Sequence, residues 1–92
     1  MIDLAYRVAE AAGIPTWHGS GVGLGPSEAA YTQICAACKS MTLTSDICGE
    51  TLRVDDLIVE PLAFADGHVE VPQAPGLGVE LDEEALERYR VH

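Results

Sequence analysis

In "IDLAYRVAEAAG", residues 2–13, the apolar positions Leu4, Ala5, Val8, Ala9 and Ala12 recur at helical spacing, while Arg7 and Glu10 point away. The pattern predicts a helix, stopped by Gly13 and blocked by Pro15. Asp3 is a partial cap at its front. The next five residues, "IPTWH" (14–18), favour β structure and predict a short buried strand. "GSGVGLG" then places four glycines in seven residues, which predicts a loop. Pro26 suits the first position of a helix, and Glu28 favours its dipole in the first turn. That second helix, residues 25–39, sets Ala30, Ile34, Ala37 and Cys38, with Met41 beyond, on one side. "TLTSDIC", residues 42–48, predicts a second buried strand closed by Gly49.

Helix, strand, Gly loop, helix, strand is the alternation of an α/β fold with parallel strands. The pattern changes after Gly49. "LIVEPLAF", "ADG" and "HVEVP" predict a β-hairpin turning at Asp66-Gly67. Asp82 then caps a short helix running to Tyr89.

Charge narrows the partners. The 92 residues carry 15 Asp and Glu against 5 Lys and Arg, a formal charge of −10. Such a surface repels nucleic-acid phosphates and anionic lipid headgroups. No apolar run approaches the roughly 18 residues of a membrane span, and the start lacks the basic flank of a signal peptide. Three cysteines do not make an even disulfide framework, so a reducing, cytoplasmic setting is expected.

The chemistry on offer is sparse. Glycines 19, 21, 23 and 25 do not fit G-x-G-x-x-G, because Leu24 and Pro26 stand where glycines are needed. The loop still follows a strand and opens a helix, a place where backbone N–H groups line a pocket for a carboxylate. Cys35, Cys38 and Cys48 with His18 contain the atoms of a zinc site, yet "CAAC" lies within a helical pattern and reads more simply as small apolar residues. His18 and Asp46 each close a predicted strand, where side chains of α/β enzymes meet substrate. Each is also explained as a strand-end structural residue. The acids Asp82, Glu83 and Glu84 read as the solvated first turn of a helix.

The tail "DGHVEVPQAPGLGVELDEEALERY" resembles the C-terminal end of the mandelate racemase and muconate lactonizing branch of the enolase superfamily. "AYRVAEAAGIP", "WHGS" and "SDICGETLRVDDLIVEP" fit the same pattern upstream. The resemblance implies the C-terminal portion of a TIM-like (β/α)7β barrel. Residues 1–49 would be its last helix, strand, helix, strand units, and residues 50–92 a hairpin-like tail and short helix that packs on a capping domain. It implies removal of a proton α to a carboxylate, assisted by a divalent metal, magnesium, whose ligands come from strands absent from this chain. It implies His18 and Asp46 as catalytic residues and Gly19, Ser20 and Gly21 as a substrate-binding loop. The expected partners are a small carboxylate substrate and the missing N-terminal barrel and capping domain, or further copies of the chain. The chain alone is expected to be inactive. A free-standing interaction module built from the same fragment is the alternative.

Overall fold

In the computed structural model of the chain, which describes residues 2–19 and 22–92, the first helix, α1, runs Ile2–Ala11. It ends two residues before the sequence pattern does because the chain turns out of the helix at Gly13. The Gly13 N–H bonds the Glu10 carbonyl at 3.0 Å and the Ile14 N–H bonds the Ala9 carbonyl at 2.9 Å, with Gly13 at φ +68°. This paired closure needs a left-handed residue, which glycine supplies without a Cβ clash. The expected apolar stripe is not the face that packs. Leu4 and Val8 are 59% and 61% exposed, and of the expected positions only Ala9 is half-buried, beside Tyr6, which the pattern did not include. A stripe of this kind needs another layer to cover it, and the described residues do not provide one.

The two expected strands do not form regular strands among the described residues; their segments are joined in parallel by two isolated bridges. Thr16 pairs with Met41 and Gly19 with Asp46, so the first segment advances three residues (16 to 19) while the second advances five (41 to 46). The Thr16 N–H bonds the Ser40 carbonyl at 2.7 Å and the Leu43 N–H bonds the Thr16 carbonyl at 3.2 Å. Further along, the His18 N–H donates to the Ser45 hydroxyl at 3.0 Å, and the Asp46 N–H donates to the His18 carbonyl at 2.9 Å. A serine side chain thus takes a place that a backbone carbonyl fills in a regular ladder, and the two extra residues bulge outward. Pairing also starts at Ser40 and Met41 instead of residue 42. Buried Ser40 ties the pair to α1, donating to the Tyr6 carbonyl at 3.1 Å and accepting from Thr16 Oγ1 at 3.0 Å.

The second helix, α2, runs Gly25–Ala37. Gly25 occupies its first position and Pro26 follows, and the helix stops two residues short of Lys39. Its buried stripe is Gly25, Glu28, Ala29 and Thr32, in place of the expected set, of which Ala37 is exposed and Ala30, Ile34, Cys38 and Met41 are half-buried. Thr32 Oγ1 returns its proton to the Glu28 carbonyl at 2.9 Å, so its hydroxyl is satisfied within the helix.

Beyond a 3₁₀ turn at Gly49–Thr51 the chain crosses α2 and comes back. The hairpin is shorter than its sequence signal, with β1 at Phe64–Ala65 and β2 at His68–Val69, extended by the Glu70 N–H on the Ala63 carbonyl at 2.9 Å. Its turn has Asp66 at φ +51° and Gly67 at φ +75°, the double left-handed turn that matches strand twist. Ile58 pairs antiparallel with Leu81, and Asp82 Oδ1 accepts from the Ala85 N–H at 3.0 Å to cap α3, Glu83–Arg88. The apolar core is Ala29, Ile58 and Leu62, with Phe64, Val69 and Val79 packed against it. It therefore lies between α2 and the returning tail, and Gln33 Nε2 on the Pro72 carbonyl at 2.7 Å pins the same junction.

Candidate functional site

The parallel pair brings Gly19 and Asp46 side by side at its far end. Asp46 is exposed, and its backbone is held by the His18 carbonyl. Its carboxylate Oδ1 accepts from Cys48 Sγ at 3.0 Å. That bond is the largest reason the Cys48 thiol is pushed above its ordinary range, since only the protonated thiol donates. Gly19 lets the Trp17 ring lie close against the backbone: a Cβ there would come within 3.3 Å of the indole.

His18 sits on the other side. Its side chain is 6% exposed and packs between two helices. Nδ1 is 3.0 Å from the Tyr6 hydroxyl of α1, and its ring lies 4.3 Å from the Tyr31 ring of α2. Side chains alternate along an extended segment, so Trp17 and Gly19 share the face opposite to His18. The imidazole expected as a catalytic base is thus held between the helices, against Tyr6 and Tyr31. Its visible work is to tie α1, α2 and the strand end together. Ser20 and Gly21, expected to bind substrate, lie outside the described residues; Gly19 is described and stands beside Asp46.

The sequence reading missed Arg53. Its Nη1 donates to the Val22 carbonyl at 2.8 Å, its Nε to Asp56 Oδ1 at 3.0 Å, and its Nη2 to the same oxygen. One signal for it was present, a lone arginine followed by Asp55-Asp56 in a chain of few cations. Cys35 faces Ser45 Oγ at 3.7 Å while Cys48 faces Asp46, so the two thiols serve different neighbours. Burial is the main cause that pushes the Cys35 thiol up. Among the described residues no three His, Cys, Asp or Glu side chains gather to hold a metal ion.

A helix, then two parallel-paired segments with a second helix between them, is an arrangement of the α/β class, with the Asp46 carboxylate at its end. The sequence pattern of the Enolase C-terminal domain-like family matches residues 4–85, and the chain belongs to that family, in the mandelate racemase and muconate lactonizing branch of the enolase superfamily. It is 36% identical to muconate cycloisomerase 1 of Rhodococcus opacus over 83 residues, covering 89% of this chain and 22% of that protein. It is 32% identical to muconate cycloisomerase 1-1 of Acinetobacter lwoffii over 82 residues, with the same coverage of 89% and 22%. The crystal structure of muconate lactonizing enzyme from Klebsiella pneumoniae superimposes with a TM-score of 0.84 at 38% identity, over 94% of this chain and 24% of that one. The chain thus spans less than a quarter of the length of the relatives it matches, and corresponds to their C-terminal barrel part.

Proposed function

We propose that this chain supplies the last barrel units of a muconate cycloisomerase-like enzyme, one that moves a proton α to a carboxylate, and that it is inactive without the remainder. In this reading α1 is the sixth barrel helix, residues 14–19 the seventh strand, α2 the seventh helix and residues 40–46 the eighth strand. The observation that carries it is the exposed Asp46 carboxylate, placed beside Gly19 at the end of the parallel pair in a chain that matches cycloisomerases along most of its own length. Active sites of such barrels are built at the carboxyl ends of the strands.

The enolase superfamily generally uses a divalent metal, magnesium in our reading. The described side chains of this chain do not fit such an ion by themselves, and in our reading its ligands come from the part of the enzyme outside this chain. Asp46 contributes charge and a hydrogen-bond acceptor at the rim, held in one orientation by the Cys48 thiol and by its backbone bond to His18. His18 acts as a positioning residue behind it. Gly19, Ser20 and Gly21 belong to the segment that follows His18, which in this reading contacts the substrate carboxylate.

Complementation tests the reading. The purified chain alone should not turn over cis,cis-muconate. Mixed with the N-terminal three quarters of the Rhodococcus opacus enzyme and magnesium, it should restore lactone formation, and Asp46→Ala should lower the restored kcat by about 10²-fold, the scale of losing one preorganised electrostatic contact. Turnover by the chain alone, or a restored activity indifferent to Asp46, would overturn it. A chain that ignores the partner section and stays a stable monomer would favour the interaction module.

A further inference from the structure

Val22 carries φ +59° in the loop that leaves Gly19 and leads into α2. A β-branched residue in the left-handed region is strained, and such a conformation persists only where the surroundings impose it. Three observations show what imposes it. Arg53 Nη1 donates to the Val22 carbonyl across 31 residues of sequence. The remaining guanidinium donors are fixed on Asp56 Oδ1. Asp56 in turn uses its carbonyl to accept the Gly25 N–H at 3.0 Å, so this short unit grips the loop at both ends. Gly49, three residues past Asp46, lies flat on the same guanidinium: a Cβ there would meet Arg53 Nη2, Arg53 Nη1 and the Gly23 carbonyl at 2.5, 2.6 and 2.7 Å.

An exposed i,i+3 ion pair contributes little to stability. This pair is different because both side chains are mostly buried and the fork reaches a second, sequence-distant acceptor. Arginine's planar fork makes that possible, whereas a lysine has one nitrogen and cannot bond two sites so far apart. We infer that Arg53 is a positioning residue whose clamp, completed by Asp56, holds Val22 left-handed and thereby sets the rim loop next to Asp46. That the loop faces substrate rests on the function proposed above; the clamp itself does not.

A double-mutant cycle on the full 92-residue chain tests it. Val22→Gly should raise the urea unfolding midpoint, because glycine accepts the left-handed backbone. In an Arg53→Lys background the freed loop relaxes, and that gain should fall by at least half. Hydrogen exchange should report the same event: Arg53→Lys should speed exchange of the amides at 19, 22, 23 and 24 by about tenfold or more relative to α1 and α3. Arg53→Ala should behave alike, and the lysine variant keeps the test open should the alanine one unfold. Equal gains from Val22→Gly in both backgrounds, or faster exchange confined to residues 49–57, would reduce Arg53 to a partner of Asp56 and overturn the proposal. No turnover is measured, so a failed clamp leaves the catalytic reading standing, and a failed complementation leaves the clamp standing.

Discussion

Asp46 and Cys48 stand two residues apart and share a proton-bearing contact of 3.0 Å. The bond to the carboxylate is the largest cause that raises the thiol pKa; burial and the negative charges of Asp46 and Glu28 add to it, and Arg53 opposes it. The thiolate is the reactive form, so a raised pKa moves alkylation to higher pH. Asp46→Asn removes the charge and weakens the acceptor, which lowers the thiol pKa and moves the profile back. We expect iodoacetamide to label Cys48 several-fold faster at pH 8 in Asp46→Asn than in the parent chain, with Cys35 labelling unchanged, as read by peptide mass spectrometry. Equal Cys48 rates would mean that the contact does not hold in solution. At this scale the sequence placed His18 and Asp46 at strand ends and Gly19 in the loop that follows His18, since such boundaries follow from turn residues and Gly runs. It did not reveal which way His18 points. Side-chain direction has a period of two, so it depends on the register, and the bulge created by Ser45 is invisible in the hydrophobic pattern.

Among the elements, α2 shows why a hydrophobic stripe is an incomplete guide. Its buried positions are Gly25, Glu28, Ala29 and Thr32, of which only Ala29 is one that an apolar count could select. They are buried because the tail crosses closely there, with Ile58 and the Asp56 carbonyl against the start of the helix. The hairpin turn was legible because Asp-Gly specifies its backbone chemically, while the strand lengths were not, since they depend on where Pro61 and Pro72 let the chain diverge. The close approach at Gly25 gives a sharp prediction. A Cβ there would lie 2.6 Å from the Asp56 carbonyl oxygen and 2.8 and 2.9 Å from two Ile58 carbons. The oxygen is backbone and cannot rotate away. Alanine improves helix propensity over glycine by up to about 1 kcal/mol, but overpacking of this kind costs roughly 1–3 kcal/mol. The clash therefore outweighs the propensity, and Gly25→Ala should lower the urea midpoint and speed exchange along 56–58. A raised midpoint would show that the tail sits further from α2 than described.

For the whole molecule, shape and surface decide behaviour. The Cα radius of gyration is 14.4 Å and the extents are 46 × 30 × 24 Å, whereas a compact 92-residue domain is expected near 12 Å. Among the described residues the buried apolar ones are few, Ala29, Ile58, Leu62 and Ala85. Against them stand Leu4, Val8, Ile14, Trp17 and Leu43, each about half exposed or more. In the described residues the two parallel segments pair with each other on one side only, and unpaired strand edges flanked by apolar side chains template association. A core of this size leaves at most about 3–5 kcal/mol to resist it. The charge of −10 opposes contact between copies, but at 0.15 M ionic strength the Debye length is about 8 Å, so repulsion fades beyond the nearest residues. We therefore expect the isolated chain to self-associate as salt is raised, and the partner barrel section to compete with that association by covering the same face. Sedimentation velocity over a concentration series, at about 10 mM and 150 mM salt, measures it. A chain that remains monomeric at every concentration in 150 mM salt and melts cooperatively would show that these apolar groups are covered by the chain itself, and the reading of an open barrel section would have to be given up.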